Sequence, residues 1–299
     1  MQRSKRNSWF IYLGCSVFCV LIGALLYYWL SREPVYRSKP ASYWVDQFAK
    51  APLHNGNVNA DLAILQFGPD VIPILISTLK KKEEPLTDLY AKVWPKIPIV
   101  IRKWFTPPAQ KPSPAQYRAS AAKMLGRLGK FGSPATRGLK KALKDKVAEV
   151  RLNAAYALWR IDPRNGTTVL PVLMQLHESA TDLRYYTSRY LGLIGPDAKV
   201  ALPLLVKSLG DADSDVRANA AKSIGQMGAE ARIAVPALVE RLKDPVVSVR
   251  VNAAEALGNL GNEANAAIPE LIQAQIDESL RVVAAKAVEK IKARQPASR

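Results

Sequence analysis

The fold of this chain is decided by a stretch near its C-terminal end, VRVNAAEALGNLG at residues 249–261. The same pattern appears as VRANAAKSIGQMG at residues 216–228 and as VRLNAAYALWRID at residues 150–162. Looser copies begin at Tyr117, Leu183 and Leu280. The arginine therefore recurs every 33 residues, with a last step of 31, at Arg118, Arg151, Arg184, Arg217, Arg250 and Arg281.

Other positions repeat with the arginine. Small residues follow it by three and four positions, and a glycine follows it by eleven in most copies, with Asp162 as one replacement. An acidic residue recurs at steps of 33, at Asp145, Glu178, Asp211, Asp244 and Asp277. Agreement over five periods indicates an internal repeat.

Each unit predicts two helices. Residues 217–227 carry an apolar stripe at helical spacing, and Gly228 follows as a typical helix-ending glycine. A second helix is predicted over 234–243, with Pro236 in its first turn. Pro203 and Pro269 match Pro236, and Pro171 comes one residue late. Because one such unit cannot bury its own apolar face, the units must stack into one solenoid.

The pattern quoted above, with Pro269 after it, resembles the short HEAT-like repeat, also called phycobilisome-lyase-like. The resemblance covers residues 118–292 strongly and 57–79 weakly, and it implies an all-α, right-handed α-solenoid of helix pairs with a period of about 33 residues. The run YRSKPASYW at residues 36–44 also resembles membrane-anchored bacterial HEAT-repeat proteins.

The N-terminal region predicts one transmembrane helix. Residues 9–30 carry no charge, and 22 helical residues span roughly 33 Å, enough for a bilayer core. Aromatic residues flank both ends, and Cys15 and Cys19 lie inside. A cleaved signal peptide is the alternative, but no A-x-A-like site follows. Three basic residues lie on each side of this helix, so the count of basic residues does not decide its orientation. Because the N-terminal tail is short and its charges are dense, we expect the N-terminus to lie inside and the large domain to be extracytoplasmic.

The chain therefore divides into seven predicted segments. These are a basic tail at 1–8, the anchor at 9–30, a linker and short helical lead-in at 31–56, a degenerate first repeat at 57–80, a proline-rich basic insertion at 81–116, HEAT-like repeats at 117–292 and a tail at 293–299.

Positive charge is concentrated in one region. The chain has a net charge of +18, and residues 80–144 hold 16 basic and 3 acidic residues. The proline density of the insertion excludes a long regular helix there. We expect either an excursion packed by its tryptophans or a projecting arm, which could rest against anionic lipid headgroups.

The repeated charged residues are predicted to be structural. Groups that recur in every unit usually belong to the architecture, and the resemblance implies a ladder that links successive turns. The predicted ladder residues are Arg151, Arg184, Arg217, Arg250, Asp211, Asp244 and Asp277.

A binding site is expected where the repeats differ. Positions two, five and nine after the arginine share one face of the first helix, which by family resemblance lines the concave side. This stripe is basic with two tyrosines in its early half, which favours an acidic protein partner. The predicted partner-binding residues are Lys123, Arg127, Tyr156, Arg160, Tyr186, Arg189 and Lys222.

No catalytic residue, metal site or cofactor is predicted. His54 and His177 are isolated, and the single His177-Glu178 pair cannot form the di-iron site of deoxyhypusine hydroxylase, a HEAT-like enzyme. Alternating Asp211, Asp213 and Asp215 lack the glycine and glutamate of a calcium loop. The sequence thus favours a membrane-anchored scaffold. The alternatives are a binder of nucleic acid or an anionic surface through residues 80–144, although the anchor argues against nucleic acid, and a bilin-lyase-like protein or chaperone.

Overall fold

The computed structural model describes residues 33–50, 58–83, 89–90, 92–105 and 112–293. The predicted anchor at 9–30, the N-terminal tail, residues 294–299 of the C-terminal tail, both cysteines and His54 lie outside the described residues.

The described chain is built almost entirely of helices. A two-stranded antiparallel hairpin, β1 (Val35–Tyr36) and β2 (Lys39–Pro40), comes first. The helices that follow are α1 (Ala41–Lys50), α2 (Val58–Phe67), α3 (Ile72–Leu79), α4 (Ile99–Arg102), α5 (Pro114–Arg127), α6 (Thr136–Ala142), α7 (Ala148–Ile161), α8 (Gly166–Ser179), α9 (Arg184–Ile194), α10 (Leu202–Ser208), α11 (Ser214–Met227), α12 (Val235–Arg241), α13 (Val247–Leu260), α14 (Ile268–Ala274) and α15 (Arg281–Ala293).

Most units contain a connecting 3-10 turn between their two helices. Seven-residue turns begin at Gly129, Gly195, Gly228 and Gly261, and each of these glycines has a positive φ between 56° and 71°. A residue with a Cβ rarely adopts that conformation, which is why glycine recurs there. The prediction that glycine ends the first helix therefore agrees with the backbone.

One unit departs from this rule. Where Asp162 replaces the glycine, the connection shortens to Pro163–Asn165 and the second helix, α8, lengthens to 14 residues. As a result Pro171 lies inside α8 rather than in its first turn, where the aligned prolines of α10, α12 and α14 lie.

The units stack into a solenoid with one continuous core. The first helices contribute a column of completely buried side chains at steps of 33 residues, Leu125, Leu158, Leu191, Ile224 and Leu257. The second helices contribute a parallel column, Leu139, Leu173, Leu205, Leu238 and Leu271. The right-handed sense of the array stays a prediction.

The two layers of helices are not equally spaced. Successive first helices, such as α5 and α7 or α11 and α13, contact each other extensively, whereas successive second helices in the regular array do not. A stack that is tighter in one layer must curve toward that layer. The first helices therefore form the concave side of the solenoid.

The lead-in caps the N-terminal end of the stack. Trp44 of α1 donates its indole N–H to the Tyr36 carbonyl at 3.1 Å, and the rings of Trp44 and Phe67 pack against Tyr36. The Tyr117 hydroxyl of α5 donates to the Asp46 carboxylate of α1, and burial together with that carboxylate raises the pKa of Tyr117 to about 12. The short hairpin was not predicted.

One helical stretch, Val58–Leu79, is long and apolar enough to cross a membrane by length and composition alone among the described residues. Gly68, at a φ of +55°, separates α2 from α3 within this stretch. Ile64 of α2 and Leu75 of α3 are completely buried, and α3 packs on α5. The stretch therefore forms two helices that pack against the stack, and its role as a degenerate first repeat stays a prediction.

The described part of the insertion contains only short helical turns. In the arm, defined as the described part of residues 89–105, a 3-10 turn covers Trp94–Lys96 and α4 has four residues. Trp94 packs on the Tyr90 ring and under the Arg102 guanidinium. The arm makes no extensive contact with the helices of the array. The next helix, α5, begins at Pro114, with a Ser113–Gln116 capping box at its N-terminus.

Candidate functional site

Four of the recurring arginines contact the recurring acid of the next unit, whereas Arg151 donates only to the carbonyls of Asp145 and Lys146. Each pair joins an arginine at the start of a first helix to the acid 27 residues later, in the turn before the next first helix. The pairs are Arg118–Asp145, Arg184–Asp211, Arg217–Asp244 and Arg250–Asp277, at 2.8 to 3.1 Å.

These arginines also donate hydrogen bonds to backbone carbonyls in the turn that precedes their own helix. Arg217 donates from Nη1 to the carbonyls of Asp211 and Ala212, and Arg250 donates likewise to those of Asp244 and Pro245. Arg217 thus links the turn before its own helix to the turn after it. This arrangement is a structural ladder along one edge of the solenoid.

Asp244 is the most enclosed acid of this ladder. Its side chain accepts hydrogen bonds from Arg217 Nε and Nη2 and from the Val246 amide, at 2.9 to 3.0 Å. Burial alone raises the pKa of Asp244, but these donors outweigh burial and hold the pKa below its ordinary value.

Two further kinds of contact, asparagine hydrogen bonds and close glycine packing, hold neighbouring first helices together. Asn153 and Asn252 each donate to a carbonyl of the preceding first helix, at Ala119 and Ala218 respectively. Gly126 lies so close to α7 that an added Cβ would stand 3.0 Å from the Ala157 Cα. Gly225 and Gly258 face Ala256 and Ala287 in the same way, at 2.8 Å, and Gly192 faces Ser223.

The junction of α7 and α9 lacks both the asparagine hydrogen bond and the close glycine contact. Tyr186 replaces the asparagine that donates to the preceding helix in other units. Trp159 replaces the glycine, and Tyr190 replaces the small residue that the glycine faces. The α7 and α9 backbones contact each other much less than other neighbouring first helices do. The Tyr156 and Tyr190 rings stack in the space, with centroids 4.3 Å apart and planes within 16°. We call this the aromatic junction, formed by Tyr156, Trp159, Tyr186 and Tyr190.

The predicted stripe residues lie in three different environments. Lys123 and Arg127 contact the lead-in: both cations lie over the Phe48 ring, and Arg127 pairs with Asp61 of α2. Burial and the nearby Arg127 lower the pKa of Lys123. These two side chains connect the first repeat to the array, which differs from their predicted place in an open groove.

Tyr186 also departs from its predicted environment. It is only 8% exposed, and burial, together with the nearby Tyr185, raises its pKa. Tyr156 is half-buried, whereas Arg160, Arg189 and Lys222 are exposed. The surface beside the aromatic junction is therefore cationic mainly through Arg160 and Arg189.

Two residues of the junction, Trp159 and Tyr190, were absent from the predicted site. Tyr190 is buried, and burial is the main reason that its pKa is raised. The signal was available in the repeat: the eighth residue after the arginine is glycine in four of the five regular units, and tryptophan only at position 159.

His177 has a structural environment. Its Nδ1 lies 2.8 Å from Thr187 Oγ1 and its Nε2 lies 2.7 Å from Ser208 Oγ, so both ring nitrogens are satisfied. Burial, helped by Arg184, lowers the pKa of His177. An open cavity of about 470 Å³ lies beside it, lined also by Lys207 and Asp211. Within the described residues, no group of three or more His, Cys, Asp or Glu is placed to hold a metal ion.

Comparison with known proteins identifies the repeat. A family model described as HEAT repeats matches residues 170–246 and 202–292. No curated protein matches the sequence.

Several solved structures resemble the fold. A designed armadillo repeat protein is 21% identical, with a TM-score of 0.48 over 74% of this chain and 99% of the other. The complex of CpcE and CpcF of phycocyanin lyase from Nostoc sp. is 20% identical, with a TM-score of 0.41 over 88% and 98%. Human deoxyhypusine hydroxylase is 20% identical, with a TM-score of 0.34 over 85% and 96%.

Proposed function

Because residues 170–292 match a family model of HEAT repeats, we propose that the chain is a non-catalytic scaffold that binds an acidic protein segment along its concave surface. In this proposal residues 9–30 anchor the scaffold in a membrane, and the solenoid lies on the extracytoplasmic side.

The observation that carries the binding site is the aromatic junction. Tyrosine and tryptophan bind partners with little loss of conformational entropy, and they are enriched among the residues that dominate binding energy. Tyr156 presents part of its ring beside the exposed Arg160 and Arg189. A partner segment with an apolar or aromatic side chain and flanking carboxylates matches this combination.

The acidic character of the partner follows from the exposed charges of the stripe. Arg160, Arg189 and Lys222 are exposed on α7, α9 and α11, and Glu255 on α13 is the acidic member further along. Lys123 and Arg127 contribute less, because Asp61 pairs with Arg127 and both cations pack on Phe48.

Site-specific photocrosslinking in the native membrane tests this site. A photoreactive amino acid at Leu193, an exposed stripe position on α9, is expected to form a defined protein adduct. The same amino acid at the exposed Ile233, in a connecting turn, is the matched control and should not form it. Adducts of equal yield at both positions would contradict the assignment.

Charge reversal tests the acidic partner. Replacing Arg160, Arg189 and Lys222 by Glu should reduce the Leu193 adduct at least about tenfold, since like charges at an interface repel. Replacing the exposed Arg137, Lys140 and Lys141 of α6 by Glu makes the same charge change on the second-helix layer and should leave the adduct unchanged. Persistence of the adduct in the first variant would exclude an acidic partner.

A further inference from the structure

The arm exposes an unusual amount of apolar surface. Trp104 is 85% exposed, Ile99 73%, Val100 72% and Phe105 56%. These side chains lie within seven consecutive residues. Removal of apolar surface from water contributes a favourable free energy of roughly 25 cal/mol per Å². Large apolar side chains that are exposed so close together in the chain usually mark a binding surface.

The charge around this patch has a single sign. Residues 89–105 contain four basic residues and no acidic one. Arg102 donates to the carbonyls of Pro95 and Ile97 and so holds the turn together. Lys92, Lys96 and Lys103 are exposed around the apolar side chains.

Residues 81–83, which precede the arm in the chain, are held beside a second basic surface. Arg118 donates to the Lys81 carbonyl and to the Glu83 carboxylate, both at 3.0 Å, where the chain leaves the array. At this end of the stack α3 packs beside α6, whose Gly138 would place a Cβ 3.6 Å from Leu79. The last turn of α6 and the residues after it expose Lys140, Lys141 and Lys144.

We propose that the arm docks in the headgroup region of an anionic lipid bilayer, with Ile99, Val100, Trp104 and Phe105 inserted and the lysines at the phosphates. Tryptophan favours this interface, and each basic residue near an anionic surface contributes about 1 kcal/mol. The four residues of α4 are far too short to span a bilayer, so the arm lies in one leaflet.

The apolar side chains distinguish a bilayer from nucleic acid. Phosphate contacts would satisfy the lysines but would leave Ile99 and Val100 in water. A bilayer interface offers negative charge and hydrocarbon within a few ångströms of each other. The proposal does not depend on the partner-binding surface, which lies on the first helices.

An environment-sensitive fluorophore on the full chain tests this docking. The chain with Cys15→Ser and Cys19→Ser carries one nitrobenzoxadiazole label at Val100→Cys and is reconstituted into vesicles. Vesicles of phosphatidylcholine alone are compared with vesicles that also contain phosphatidylglycerol. Val282→Cys, a 62% exposed valine at the far end of the solenoid, is the matched label position.

We expect a blue shift and a several-fold rise in emission at position 100 in phosphatidylglycerol vesicles, with little change at position 282. Lys92→Glu, Lys96→Glu and Lys103→Glu together should lower the docking equilibrium on the order of 100-fold, about 3 kcal/mol at the contribution given above. Circular dichroism of this variant should match that of the parent, and its Leu193 adduct should persist.

Any of the following results would overturn the proposal. They are no change at position 100 on anionic vesicles, an equal change at position 282, an equal change on phosphatidylcholine that survives the lysine reversal, and an equal change on addition of RNA without phosphatidylglycerol. A concentration-dependent signal without anionic lipid would instead assign the patch to a second copy of the chain, and would also overturn it.

Discussion

Asp244 has the most demanding environment among the charged residues of the ladder. Its carboxylate is almost fully enclosed and is stabilised by Arg217, with Arg241 Nη1 3.7 Å away. A buried charge that loses its partner is costly, because little water can replace the lost hydrogen bonds.

We therefore expect Arg217→Ala to lower the free energy of unfolding by about 2 to 3 kcal/mol. Urea denaturation followed by circular dichroism measures this change. Arg164 forms an equally short ion pair with Asp162 on the exposed surface, so Arg164→Ala is the control and should leave the transition midpoint unchanged. Equal effects of the two substitutions would show that burial of the ladder carries no particular stability.

His177 makes stability depend on pH. Because burial lowers its pKa in the folded protein, the unfolded chain binds a proton more readily below the ordinary value of 6.5. The contribution of His177 to the free energy of unfolding is therefore complete above pH 6.5. It is lost as the pH falls below 6.5, by at most about 1.4 kcal/mol per pH unit.

The urea midpoint of the parent chain should therefore decrease as the pH is lowered from about 7.5 to about 5.5. This interval covers about one unit either side of the ordinary pKa. His177→Asn should flatten that decline while lowering stability throughout, since the imidazole bridges Thr187 and Ser208. His54→Asn is the matched control for loss of the other histidine and should keep the decline. A parent chain with pH-independent midpoints would contradict the assignment.

The spacing of the first helices is determined by small residues at their points of contact. Gly225 on α11 approaches α13 so closely that an added methyl group would stand 2.8 Å from the Ala256 Cα. Gly138 on α6 has room, with the nearest atom, Leu79 Cδ1, at 3.6 Å. Alanine is favoured over glycine in a helix by about 1 kcal/mol, so the two sites should respond with opposite sign.

Gly225→Ala should destabilise the chain by about 1 to 3 kcal/mol, because backbone atoms must move apart. Gly138→Ala should stabilise it by up to about 1 kcal/mol. Thermal or urea denaturation of both variants measures the difference. Stabilisation by both would mean that the α11–α13 contact can relax without cost.

The orientation of the whole molecule follows from the proposed anchor. If residues 9–30 span the membrane with the N-terminus inside, a C-terminal epitope should be digested when protease is added to intact cells, or to spheroplasts of a host with two membranes. Digestion only after lysis would reverse the orientation and would direct the search for partners to acidic cytoplasmic proteins.

Much of the repeat architecture could be predicted from the sequence because its causes are local. Gly228 adopts a positive φ that favours glycine, and the apolar period places Leu257 in the core without knowledge of the neighbouring unit. The segment limits were less predictable: α5 begins at Pro114, because Ser113 and Gln116 form a capping box inside the predicted insertion.

The candidate site was predictable only in part, because its environment depends on contacts between distant units. Lys123 and Arg127 have the stripe spacing, yet Phe48 and Asp61, which are far away in sequence, cover them. Tyr186 has the same spacing but is buried at the α7–α9 junction.

The sequence by itself thus determined the repeat, its two helices per unit and the positions of the charged ladder, since each follows from a period that recurs along the chain. The tertiary structure alone decided which side chains fill the space between the first helices that separate. At the aromatic junction, Trp159 and Tyr190 are too large for the close contact that Gly225 and Ala256 make elsewhere, and Tyr156 and Tyr190 stack in the resulting space.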